Sequence, residues 1–66
     1  MSKPLTRLAL RLVVDARQAR VGDLIELGEL TRRVTCVNGS DHDTTLVVRD
    51  GSITFAHGVR IVVQRH

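Results

Sequence analysis

Val21-Gly22-Asp23-Leu24-Ile25-Glu26-Leu27-Gly28-Glu29-Leu30-Thr31-Arg32-Arg33-Val34-Thr35-Cys36-Val37 carries the pattern of a β-hairpin. Gly22 and Gly28 stand where the chain must reverse, and glycine reaches positive φ without steric cost. Between them Ile25 and Leu27 alternate with Leu24 and Glu26. Beyond them Val34 and Cys36 alternate with Arg33 and Thr35. Period-two alternation bounded by glycines predicts two short strands joined at Gly28-Glu29. In this register Cys36 shares a face with Val34 and is expected to be a buried thiol acting as a small hydrophobe.

Downstream, Asn38-Gly39-Ser40-Asp41-His42-Asp43 reads as a six-residue polar loop. Thr44–Arg49 and Ser52–Phe55 then flank Asp50-Gly51, a dipeptide that favours a primed two-residue turn because both positions adopt positive φ. Ala56-His57-Gly58 breaks the run, and Val59–Gln64 forms a last strand, with Ile61 and Val63 assigned to the core. Upstream, Leu8, Leu10, Leu12 and Val14 alternate along residues 7–15, predicting a strand. A helix competes, since Leu5, Leu8, Ala9, Leu12, Val13, Ala16 and Ala19 recur at three- and four-residue spacings. The helical set leaves Leu10 and Val14 off its stripe, whereas the strand set leaves only Val13, so the strand is preferred. Residues 15–20 make a polar excursion with room for one helical turn. Residues 1–6 are a lead-in, and residues 7–66 form a single small β domain.

The arrangement resembles the SH3-like small barrels, including KOW- and Tudor-type modules. The features that carry the resemblance are Val21-Gly22-Asp23 entering a strand, the short hairpin to the Val34/Cys36 strand, the Asp50-Gly51 hairpin and the Ala56-His57-Gly58 break. The resemblance implies a 3₁₀ turn at that break and five barrel strands, one fewer than the six counted here. The aromatic residues that line peptide and methyl-lysine pockets in SH3 and Tudor domains are missing, so those binding functions do not carry over. Basic KOW-type modules associate with nucleic acid or with ribosomal and polymerase surfaces, and that implication remains. The fold class expected is all-β, a small SH3-like barrel or a compact five- to six-stranded antiparallel sheet.

Size and composition narrow the function. A 66-residue chain buries only about 60% of its unfolded surface and usually needs a disulfide, a metal or a partner copy. Cys36 is the only cysteine, and His42, His57 and His66 fall at no zinc-ligand spacing. No cofactor or metal is therefore expected. Asp41-His42-Asp43 reads as a solvated loop, because adjacent side chains point apart. A Cys36/His57 nucleophilic pair has nothing to activate the thiol, so no enzyme activity is expected. Asn38-Gly39-Ser40 matches a glycosylation sequon. However, the N-terminus carries Arg7 and Arg11 within its first apolar run, unlike a signal peptide, and a cytoplasmic location is expected.

The charge is +3, from ten Lys and Arg against seven Asp and Glu. Nine of the ten bases are arginine, whose planar fork suits phosphate and carboxylate. Arg17 and Arg20 lie on the excursion before the hairpin, Arg32 and Arg33 on opposite faces of its second strand, and Arg7 and Arg11 on one face of the first strand. Such a set can follow a phosphate backbone. With Phe55 the only aromatic, base stacking is not available, which points to duplex rather than single-stranded nucleic acid. The leading reading is a non-enzymatic nucleic-acid-associated accessory module, of a size common among phage and mobile-element regulators. The alternative is a protein-interaction or assembly module, such as a small phage structural or inhibitory protein, acting through an apolar β surface. Val13-Val14, Leu24-Ile25, Val47-Val48 and Val62-Val63 put hydrophobes on both faces of their strands. They predict a homo-oligomer, with Val47 and Val62 on the intermolecular surface.

Overall fold

A computed structural model describes residues 10–66; the lead-in, Arg7 and the start of the first strand lie outside the described residues. Six strands form one antiparallel sheet: β1 (Leu10–Asp15), β2 (Leu24–Leu27), β3 (Leu30–Gly39), β4 (Asp43–Val48), β5 (Gly51–Ala56) and β6 (Arg60–Arg65). The order across the sheet is β1-β6-β2-β3-β4-β5. The chain is all-β, and residues 10–15 are strand rather than helix. A single 3₁₀ turn, Ala16–Gln18, follows β1. Asp15 caps it: its carboxylate accepts the Arg17 N–H at 3.0 Å, and its own N–H donates to Gln18 Oε1 at 3.1 Å.

The sheet is curled. Ala16 and Ala19 of the excursion are buried in the same cluster as Ile25, Val34, Leu46, Val48, Ile61 and Val63. This segment leaves β1, at one end of the strand order, and packs against β4, four strands away. Only a sheet rolled around a common interior brings those elements together. Phe55, half-buried, packs against that cluster.

The rolling turns on β3. Its first residues pair with β2 (Ile25 opposite Arg32) and its later ones with β4 (Val37 opposite Leu46). Between them the register slips, so that Val34 faces Val48 but Cys36 faces Val47. Thr35 is the extra residue, and its hydroxyl donates to the Val47 carbonyl at 3.1 Å. A bulge bends its strand and inverts the side-chain alternation beyond it. Val34 therefore points inward and Val37 packs against the core, but Cys36 is exposed. The expectation of a buried thiol is corrected for that reason.

Other boundaries also shift. The polar loop is shorter than expected, because β3 runs through Gly39 and β4 starts at Asp43. Ser40 closes the tip by donating from its hydroxyl to Asp43 Oδ1 at 2.7 Å. The β5–β6 connection is a turn closed by Val59 N–H on the Ala56 carbonyl, with Gly58 at φ 92; the only 3₁₀ turn among the described residues is the one after β1.

The β4–β5 turn is Arg49-Asp50, not Asp50-Gly51. Val48 faces Gly51, and among the described residues no residue other than Gly22, Gly28 and Gly58 has positive φ. The observed register puts Leu46 opposite Ile53 inside and joins the Thr45 and Thr54 hydroxyls outside at 2.8 Å. It also leaves Asp50 within reach of Arg32. These contacts outweigh the preference of one dipeptide. Gly51→Val is therefore expected to leave the urea midpoint nearly unchanged, since a Cβ there meets nothing within 4 Å. Gly58→Val should cost about 1–2 kcal/mol, because a β-branched residue resists positive φ. Equal midpoint shifts for the two variants would show the turn assignment to be wrong.

Candidate functional site

Among the described residues, the arginines named from the sequence divide into two groups according to whether an acid holds them. Arg11 reaches across the outer face of β6 to Glu26 on β2, with Nε and Nη2 each 2.8 Å from a carboxylate oxygen. Gln64 donates to the same carboxylate at 3.2 Å. Arg11 first, then Gln64, hold the Glu26 carboxyl down at about 2. Arg17 lies against Asp15 at 3.2 Å. The Asp15 carboxyl is below its ordinary value, chiefly through the Arg17 backbone N–H and then the Arg17 guanidinium. Arg32 lies 3.5 Å from Asp50 and donates to the Thr31 carbonyl.

Arg20 and Arg33 are exposed, and no ion pair to an acidic residue holds either among the described residues. They converge on one turn. Arg20–Asp23 is closed by Asp23 N–H on the Arg20 carbonyl at 3.0 Å, with Gly22 third at φ 98, a position that favours glycine. Arg20 is part of this turn, and Arg33 Nη1 donates to the Gly22 carbonyl at 3.2 Å. The ladder to β3 continues through the turn, since Gly22 N–H donates to Val34 and Val34 N–H donates to Asp23, both at 2.8 Å.

A residue that sequence reasoning missed holds the turn in place. Asp23 is buried, 2% exposed, and its carboxylate takes Arg65 Nε at 2.9 Å and Nη2 at 2.8 Å. It also accepts the Arg20 N–H at 2.9 Å. Arg65 goes on to the Gln18 carbonyl at 3.2 Å, tying the end of β6 to the 3₁₀ turn. The Asp23 carboxyl is lowered mainly by Arg65, against the opposing effect of burial. A fork on a carboxylate satisfies both charges with two parallel hydrogen bonds. No local signal links two residues 42 positions apart.

Among the described residues, the bases named from the sequence thus form no single patch. Arg20 and Arg33 share one turn, with Arg17 on the neighbouring 3₁₀ turn, while Arg11 and Arg32 are tied into ion pairs on other elements. Arg32 and Arg33 do part to opposite sides of β3, as their alternation requires. Of the proposed interface residues, Val62 is on β6 and Val47 on β4, with β2 and β3 between them, so they do not share a patch. Both are half-buried, while Ile61 and Val63 are in the core. Cys36 Sγ contacts Asn38 Oδ1 at 3.7 Å, and His57 meets His42 only through the backbone. The described residues enclose no pocket, and none of them form a cluster of three or more metal-ligating side chains. No helix among them is long and apolar enough to cross a membrane. Comparison with protein-family models, curated proteins and solved structures finds no match to this chain.

Proposed function

We propose that this chain is a non-enzymatic nucleic-acid-associated accessory module that meets the phosphate backbone of a duplex at the Arg20–Asp23 turn. One observation supports the reading: Arg20, on a turn braced from behind by the Asp23–Arg65 pair, and Arg33, which reaches that turn from β3, are exposed and in no ion pair with an acid among the described residues. The one carboxylate at that turn is already forked by Arg65, so the Arg20 and Arg33 guanidiniums add net positive charge there. Arg17, paired to Asp15 but with its side chain 57% exposed, adds a third contact. The resemblance to basic KOW-type modules supports the same reading.

Three phosphate contacts give a log–log salt slope near −2.7, or about a 40-fold loss of affinity between roughly 50 and 200 mM salt. Arg20→Glu with Arg33→Glu should abolish retention on duplex DNA or heparin at about 50 mM salt while leaving the fold intact, since neither side chain is in the core. If wild-type protein passes such a column unretained at that salt, phosphate binding is excluded. Retention that salt does not weaken would instead favour the alternative, a protein-interaction or assembly module.

A further inference from the structure

We infer that Arg49, on the β4–β5 turn, is a further phosphate-binding residue that extends the basic surface at the Arg20–Asp23 turn across β3 to the end of β4, an inference that rests on the phosphate contact proposed above. Neither the sequence pattern nor that contact singles out Arg49.

The register of the sheet places it. Val34 on β3 stands opposite Val48 on β4, and both are buried. One step further along the same register sets Arg33 opposite Arg49, and the next sets Arg32 opposite Asp50. The second of these pairs is in contact, with Arg32 Nε 3.5 Å from Asp50 Oδ1. Side chains alternate between the two faces of a strand, so the residues next to two inward valines fall on the outside. Arg33 and Arg49 are both exposed. On its other side β3 carries the Arg20–Asp23 turn. There the Gly22 N–H donates to the Val34 carbonyl, and Arg33 Nη1 donates to the Gly22 carbonyl. Arg33 thus stands between Arg20 and Arg49.

Like charges directly opposite each other on neighbouring strands repel and destabilise a sheet. Among the described residues no acid relieves this pair, since Arg49, like Arg20 and Arg33, is in no ion pair. The acids near it are already engaged. Asp50 lies against Arg32, Asp23 is forked by Arg65, and Glu26 on the outer face of β2 is forked by Arg11. Leu24 flanks Arg33 on β2, and Val47 pairs with Ser52 next along β4, so the surroundings bring no negative charge. An anion between the two guanidiniums would remove the repulsion, and phosphate oxygens match the guanidinium fork. Neighbouring strands lie about 4.8 Å apart, so the line from the turn through Arg33 to Arg49 covers roughly 10 Å. One strand of a duplex presents a charge about every 3.4 Å along its axis, so that line matches about three successive phosphates.

Fluorescence anisotropy with a duplex of about 20 base pairs, titrated between roughly 50 and 200 mM salt, tests the assignment. With Arg49 added to Arg17, Arg20 and Arg33, four contacts steepen the salt slope to near −3.6, or about a 150-fold loss of affinity over that range. Arg49→Gln should return the slope to about −2.7 and the loss to about 40-fold, with the β circular dichroism unchanged. Arg60 is also exposed and in no ion pair, but it stands opposite Asp15 at the far end of β6 from Arg65. Arg60→Gln removes the same charge and should keep the wild-type slope. A wild-type slope that Arg49→Gln leaves unchanged overturns the role of Arg49 while the contact at Arg20 and Arg33 stands. Equal flattening by Arg60→Gln overturns it too, because net charge rather than position would then set the slope. Wild-type protein that binds no duplex overturns both.

Discussion

Leu46→Ala is expected to lower the unfolding free energy by about 3 kcal/mol, the range for truncating a fully buried leucine. Leu46 is 0% exposed and sits between Val37 on β3 and Ile53 on β5. A domain of this length has only roughly 3–10 kcal/mol of stability in all, so the variant should be partly unfolded at room temperature. The adjacent Val47 faces outward, and Val47→Ala should cost under about 1 kcal/mol. Urea unfolding followed by circular dichroism separates the two. Equal losses would mean that the inner and outer faces of β4 have been misassigned.

Asp23→Ala should cost roughly 2–3 kcal/mol, since it removes the acceptor of two guanidinium bonds and of the Arg20 N–H. Asp23→Asn, which keeps an acceptor but loses the charge, should fall between the variant and wild type. The effect also has a pH signature. Asp15, Asp23 and Glu26 all have carboxyls lowered by folding, Glu26 from 4.5 to about 2. A carboxyl lowered by folding stabilises the folded state at pH above its unfolded value. That contribution is lost as pH falls through the folded value. Wild-type stability should therefore decline from about pH 4.5 toward pH 2, and Asp23→Ala should show a shallower decline over the same window. Parallel pH profiles would mean that the Asp23–Arg65 pair does not form in solution. Because the same turn carries Arg20 and supports Arg33, the variant should also lose duplex retention that its folded fraction alone does not explain.

Much of this fold is legible in the sequence wherever a local rule and the tertiary packing agree. Ile25, Ile61 and Val63 alternate as inward residues should, and are core. Gly22 and Gly28 adopt the positive φ that their turns require. The Arg49-Asp50 turn is illegible for a definite reason. Sliding β5 by two residues against β4 keeps the same side chains inward, so the hydrophobic pattern cannot distinguish the two registers. The distinction lies in the Thr45–Thr54 hydroxyl contact and in the pull of Arg32 on Asp50, both of them tertiary. The bulge at Thr35 escapes for a related reason, since one extra residue changes no composition yet inverts every later position of the strand. The site was legible only as an inventory of arginines. Which of them acids hold, and which stay free, depends on partners such as Glu26 for Arg11, 15 residues away.

The Thr35 bulge has a practical consequence. By turning Cys36 outward it leaves the chain's single thiol accessible on the outer surface of β3, clear of the core and two strands from β6. The molecule thus comes with one addressable position for a maleimide dye or spin label, with no residue to introduce and none to remove.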